Sequence, residues 1–161
     1  MEQAIKMKTL QTAITIDAEP AAVWAALVDF QRFPDWNPFI REIQGKPQVG
    51  KRLEVKLQPP GKKAMRFQPE VLAYTPEKEF RWRGSLGVQG LFDGEHYFLL
   101  EALETQKTCL THGEQFSGLL VNLLWGQLKN PTQQGFEAMN SALKQRVEAT
   151  ISVPAILNTP A

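Results

Sequence analysis

From Thr9 to Phe116 the chain mostly alternates apolar and polar side chains with a period of two. Helical spacing interrupts this once near the start and takes over after Gly118. Thr9 to Ile16 sets Leu10, Thr12, Ile14 and Ile16 on one face and predicts a first strand. Asp17 then offers a cap, and Pro20 falls near a first helical turn, where its missing N–H does no harm. Val23, Trp24, Leu27 and Val28 make a short apolar stripe that ends near Asp29 and Phe30. Next comes Phe33-Pro34-Asp35-Trp36-Asn37-Pro38-Phe39. Pro38 pushes Asn37 toward extended geometry and Pro34 restricts Phe33 in the same way, so a kinked connector is expected. Its three aromatics must cover the core or a cavity, since leaving each in water costs roughly 1.5–3 kcal/mol.

Six further strands are expected. Ile40–Gln44, Arg52–Leu57 and Met65–Tyr74 are separated by turn signals at Gly45 to Gly50 and at Pro59-Pro60-Gly61, and Pro69 marks an edge or bulge inside the third run. Phe80–Gly84, Glu95–Leu103 and Thr108–Phe116 complete the set, the last two closing a hairpin through Glu104 to Lys107. Short links make neighbouring strands antiparallel. Beyond Gly118 the spacing is helical. Asn130-Pro131 is expected to interrupt or restart that helix, and Phe136, Met139, Leu143 and Val147 carry its apolar stripe. Residues 1–150 read as one domain, and the uncharged tail 151–161 receives no structure. Strands that do not alternate with helices give an α+β fold: a curved antiparallel seven-stranded sheet, two short helices after the first strand, and a long C-terminal helix across the sheet.

Composition narrows the function classes. With 161 residues the chain can bury a core without staples, and a net charge of +1 gives no reason to expect nucleic acid or an anionic membrane as partner. Cys109 is the only cysteine, which rules out an internal disulfide and favours a reducing compartment. No stretch approaches the roughly 18 apolar residues of a membrane span, and Met1 to Leu10 lacks a signal-like apolar run, so a cytoplasmic location is expected. Metal-binding, nucleophile and phosphate-loop motifs are absent, and neither metal nor cofactor is expected.

Val23-Trp24, the Phe33 to Phe39 run, Trp82-Arg83-Gly84, His96 to Glu101 and Thr111 to Leu120 together resemble the polyketide cyclase/dehydratase branch of the START-like superfamily, also called SRPBCC. The resemblance covers roughly Thr9 to Ala149. It implies a helix-grip fold in which the sheet curls around the C-terminal helix and leaves an apolar cavity, which in relatives holds lipids, hormones, polyketides or other hydrophobic molecules.

Within such a cavity His96 and Glu114 form the best constellation. Phe98 and Leu100 share a strand face with His96, and Leu110 and Phe116 share one with His112 and Glu114. Burying both sets requires a register that brings His96 near Glu114 or Phe116. A histidine beside a carboxylate suits acid/base work or the anchoring of a polar ligand group, and equally satisfies buried polarity alone. Trp36, Phe39, Phe67, Trp82, Phe98, His112, Phe116, Phe136 and Met139 are the other expected ligand contacts, each also able to serve as core filling. Gly118 to Gly126 is expected to pack on the sheet, with a surplus, Trp125 above all, left to gate the cavity or pair two subunits as a homodimer. Three roles are compatible with these residues: a carrier or sensor of a small hydrophobic molecule, an enzyme of the cyclase, dehydratase or isomerase kind using His96 and Glu114, and a chaperone-like accessory subunit.

Overall fold

A computed structural model describes residues 7–152. Strand β1 (Lys8–Ile16) leads into helix α1 (Pro20–Leu27), a 3-10 turn (Phe30–Arg32) and the one-turn helix α2 (Phe33–Trp36). Seven strands follow: β2 (Ile40–Gln44), β3 (Glu54–Leu57), β4 (Met65–Phe67), β5 (Glu70–Thr75), β6 (Glu79–Ser85), β7 (Asp93–Glu104) and β8 (Lys107–Ser117). The chain closes with the 32-residue helix α3 (Val121–Ser152). Five strands pair in the order β1-β8-β7-β6-β5 and three in the order β2-β3-β4, every pair antiparallel. Backbone bonds from Leu53 N to Pro69 O and from Val71 N to Lys51 O, with a bridge between Arg52 and Glu70, join the two sheets. The result is the α+β helix-grip architecture, its sheet surface wrapped on α3.

Among the described residues there are eight strands rather than seven. The run Met65–Tyr74 divides at Gln68-Pro69, and its halves pair in opposite directions, β4 with β3 and β5 with β6. Pro69 has no N–H to carry a ladder through that point. Near the start of the chain, Phe33 is helical (φ −54°, ψ −42°) rather than extended, because Pro34 occupies the first turn of α2, where its fixed φ suits a helix. Asn37 is extended (φ −84°, ψ 111°), as Pro38 demands.

Helix α3 runs through Pro131 without a break. Val121, Leu124, Leu128, Thr132, Phe136, Met139, Leu143 and Val147 keep one phase at steps of three or four across the proline, so both halves bury the same face. Burial of that continuous stripe outweighs one lost backbone bond. The segment 118–126 packs only in part. Val121 is buried and Leu124 and Trp125 lie against the core, while Leu119 and Leu123 are 78% and 76% exposed. One helix face cannot bury apolar residues on every side. Residues 151 and 152 end α3, and the rest of the C-terminal tail lies outside the described residues.

Candidate functional site

The β7–β8 ladder places His96 opposite Glu114 and Phe98 opposite His112, which makes the two histidines diagonal neighbours on the face turned toward α3. His96 Nδ1 faces Glu114 Oε2 at 3.5 Å, an electrostatic contact longer than a hydrogen bond. On its other side His96 Nε2 meets His112 Nε2 at 2.8 Å, and His112 Nδ1 meets Asn140 Oδ1 of α3 at 2.9 Å. Asn140 Nδ2 donates to Thr12 Oγ1 at 2.8 Å, and the Thr12 hydroxyl donates to the carbonyl of His112 at 3.0 Å. A polar chain thus crosses the core from Glu114 to the edge strand β1.

Aromatic rings enclose it. His96 stacks on Trp82 (4.7 Å, 5° between planes) and His112 on Phe136 (4.1 Å, 26°), with Phe98 against both. Water is excluded there, and burial penalises charge. The imidazole of His96 is therefore pulled down to about 3, and that of His112 well below its ordinary range, by burial first and by His96 second, against the opposing Asn140 bond. Burial pushes the Glu114 carboxyl up to about 8. At neutral pH all three groups are uncharged.

Glu114 is the member of this chain that reaches open space. A cleft of about 80 Å³ lies between the three-stranded sheet, the ends of β6 to β8 and the first half of α3. Phe39, Leu57, Met65, Phe67, Leu86, Phe92, Phe116 and Leu128 supply most of its wall, Ser85 and Thr132 add hydroxyls, and Glu114 is the one ionisable residue in the lining. Gly94 makes the carboxyl fit. A Cβ at that position would overlap Glu114 Oε1, so the bare backbone of β7 provides the shelf on which the carboxyl rests. Gly135 acts likewise on α3, where a Cβ would overlap the ring of Phe39 and push this wall residue away from Phe136.

Of the expected ligand contacts, Phe39, Phe67, Glu114 and Phe116 line this cleft. Trp82, His96, Phe98, His112, Phe136 and Met139 do not; each is at most 1% exposed and packed in the solid core behind Glu114. Trp36 is elsewhere. Its ring packs on Phe33 and borders an open groove with Ala142, Gln145, Arg146 and Ala149, some four turns along α3 from Leu128 and Thr132. The expectation of an apolar cavity walled by all of these residues is corrected accordingly: most of the inward aromatics fill space against one another and against α3, leaving a small cleft at one end. Asn140 and Thr12 were not singled out as polar partners in the sequence, because only the rotation of α3 over β1 brings them to His112. Among the described residues no group of three or more His, Cys, Asp or Glu side chains is placed to hold a metal ion, and no helix is long and apolar enough to cross a membrane.

Residues 7–148 match the family described as polyketide cyclase / dehydrase and lipid transport. No curated protein sequence matches the chain significantly. Among solved structures, the Zhui aromatase/cyclase from Streptomyces sp. R1128 is similar with a TM-score of 0.75 at 13% identity, covering 93% of this chain and 99% of that one. A norcoclaurine synthase point mutant from Thalictrum flavum, in complex with a transition-state analogue, gives 0.73 at 15% identity, with 94% and 100% covered. A START superfamily protein from Mycobacterium smegmatis gives 0.65 at 18% identity, with 88% and 98% covered. At these identities the likeness concerns the fold.

Proposed function

The chain belongs to the polyketide cyclase / dehydrase and lipid transport family, and from that premise we propose that it binds a small hydrophobic molecule in the cleft beside Glu114, as a carrier or sensor. The observation that carries this reading is the composition of the cleft, a largely apolar wall that includes the hydroxyls of Ser85 and Thr132 and one carboxyl, that of Glu114. Apolar lining supplies affinity and a few polar groups, with Glu114 the one ionisable group among them, supply orientation, which is the usual division of labour in a ligand site. Glu114 Oε1 has no protein donor in the described residues, so a ligand group can take that position. The modest volume favours a compact ligand, or one whose tail emerges past Met65 and Leu86 at the rim, both of which are exposed.

A second reading is supported by the raised Glu114 carboxyl. An acid held neutral near pH 7, with an imidazole behind it, can lend a proton to a polarised carbonyl and regain it, the chemistry of a cyclase or dehydratase. Binding comes first in both readings. An environment-sensitive apolar dye should bind saturably, and Phe116→Trp, which fills the cleft, should weaken it at least tenfold, a loss of about 1.4 kcal/mol. Dye binding that does not saturate, or that ignores Phe116→Trp, would overturn the cleft as the binding site. Turnover of a candidate carbonyl substrate that Glu114→Gln abolishes would favour the enzyme over the carrier.

A further inference from the structure

The buried polar chain has a direction. Thr12 has one hydroxyl proton, and it is donated to the His112 carbonyl, so Thr12 Oγ1 accepts from Asn140 Nδ2. That orients the amide and turns Asn140 Oδ1, an acceptor, toward His112 Nδ1, which must carry the proton. His112 Nε2 is then bare and accepts from His96 Nε2–H. His96 Nδ1 is left as a lone pair facing Glu114 Oε2. A lone pair facing Oε2 disfavours a charged carboxylate there and favours the protonated carboxyl.

Resting on the cleft reading, we infer that Thr12, Asn140, His112 and His96 act as positioning residues that turn the bare Nδ1 of His96 toward Glu114 Oε2, drawing the carboxyl proton to that oxygen and leaving Glu114 Oε1 as an uncharged acceptor for a ligand hydroxyl. The ligand class follows from that acceptor: an uncharged molecule with an apolar body and one hydroxyl donor. A methyl ether of the same shape would desolvate Oε1 without satisfying it. An ammonium group would enter a site with no net charge to meet it, since Glu114 is the sole ionisable lining group and His96 and His112 behind it are neutral. Of the acidic residues flanking Gly94 on β7, Asp93 is engaged by Ser85 Oγ and the Gly90 N–H, and Glu95 by Arg81.

The test joins two measurements on the full chain. Nitrogen-15 NMR of the imidazoles at pH 7 should find His112 protonated at Nδ1 alone and His96 protonated at Nε2. In ligand titrations, 4-ethylphenol should bind about tenfold more tightly than 4-ethylanisole, and more tightly than 4-ethylbenzylammonium, with Glu114→Leu erasing the preference for the phenol. Thr12→Val, half-buried and far from the cleft, removes the hydroxyl that orients Asn140. It should mix the histidine tautomers and lower the phenol preference at least threefold, while Thr12→Ser restores both. The reversed tautomers, with His112 protonated at Nε2 and His96 at Nδ1, would overturn the inference. So would equal affinity for phenol and ether or a preference for the ammonium, although either would leave the cleft reading standing. Binding of none of the three probes would overturn the cleft reading and this inference together.

Discussion

Glu114 is held as a neutral acid, and that state shows in stability. Its folded value of about 8 lies above the ordinary 4.5, so the folded state keeps a proton that the unfolded chain has lost, and stability falls as pH rises from 4.5 to 8. The histidines act oppositely, since their lowered values make stability rise with pH until the unfolded imidazoles have lost their protons near 6.5. Above 6.5 only the Glu114 contribution remains. Denaturant unfolding should therefore show a loss of up to about 2 kcal/mol between pH 6.5 and 8 in the wild type, and Glu114→Gln should flatten that slope while keeping the fold. A slope unchanged in the variant would mean that Glu114 is ionised in the folded protein. Alternation brought His96 near Glu114 or Phe116, because a one-residue slip would have exposed Phe98 and Leu100 together, and the strand ladder selects Glu114. The partnership of His96 with His112 was not legible in the sequence. It is a diagonal contact, and sequence alternation assigns faces without fixing which diagonal side chains turn toward each other.

At the scale of elements, two glycines shape the cleft, and their substitutions should behave differently. The Cβ of Gly94→Ala would meet the tip of a flexible carboxyl, so the fold should lose no more than about 1 kcal/mol while Glu114 is displaced and dye affinity drops. In Gly135→Ala the methyl meets the buried ring of Phe39, which has Phe136 behind it and nowhere to go. Overpacking there costs about 1–3 kcal/mol, and the better helix propensity of alanine offsets up to about 1 kcal/mol of it. Thermal unfolding of the two variants separates them, and a Gly94→Ala protein destabilised more than Gly135→Ala would contradict this account. The hydrophobic period was enough to place β1, α1, β6, β7, β8 and the apolar stripe of α3. It failed where tertiary pairing decides: β4 and β5 read as one apolar run because the change of partner strand at Pro69 leaves no mark on the period, and Pro131 read as a break because its local cost is visible while the stripe it interrupts spans the whole helix.

On the scale of the molecule, the aromatics expected to line a cavity serve mostly to fill the grip between sheet and helix. Counting inward-facing rings gives the apolar volume available without saying how much of it is empty; Trp82, Phe98 and Phe136 close on the histidines, and only the end bounded by β3, β4 and the start of α3 stays open. Sequence could point to Glu114, Phe39, Phe67 and Phe116 but not to the rest of the wall, since Leu57, Leu86 and the α3 pair Leu128 and Thr132 come from three separate segments. The most direct test of the binding site is methyl NMR of the full chain during titration with 4-ethylphenol. Saturable shifts concentrated at Leu57, Leu86 and Leu128, with none at Ala142 or Ala149 beside Trp36, are the predicted result; shifts centred on the Trp36 groove, or none that saturate, would contradict the cleft as the place where this protein holds its ligand.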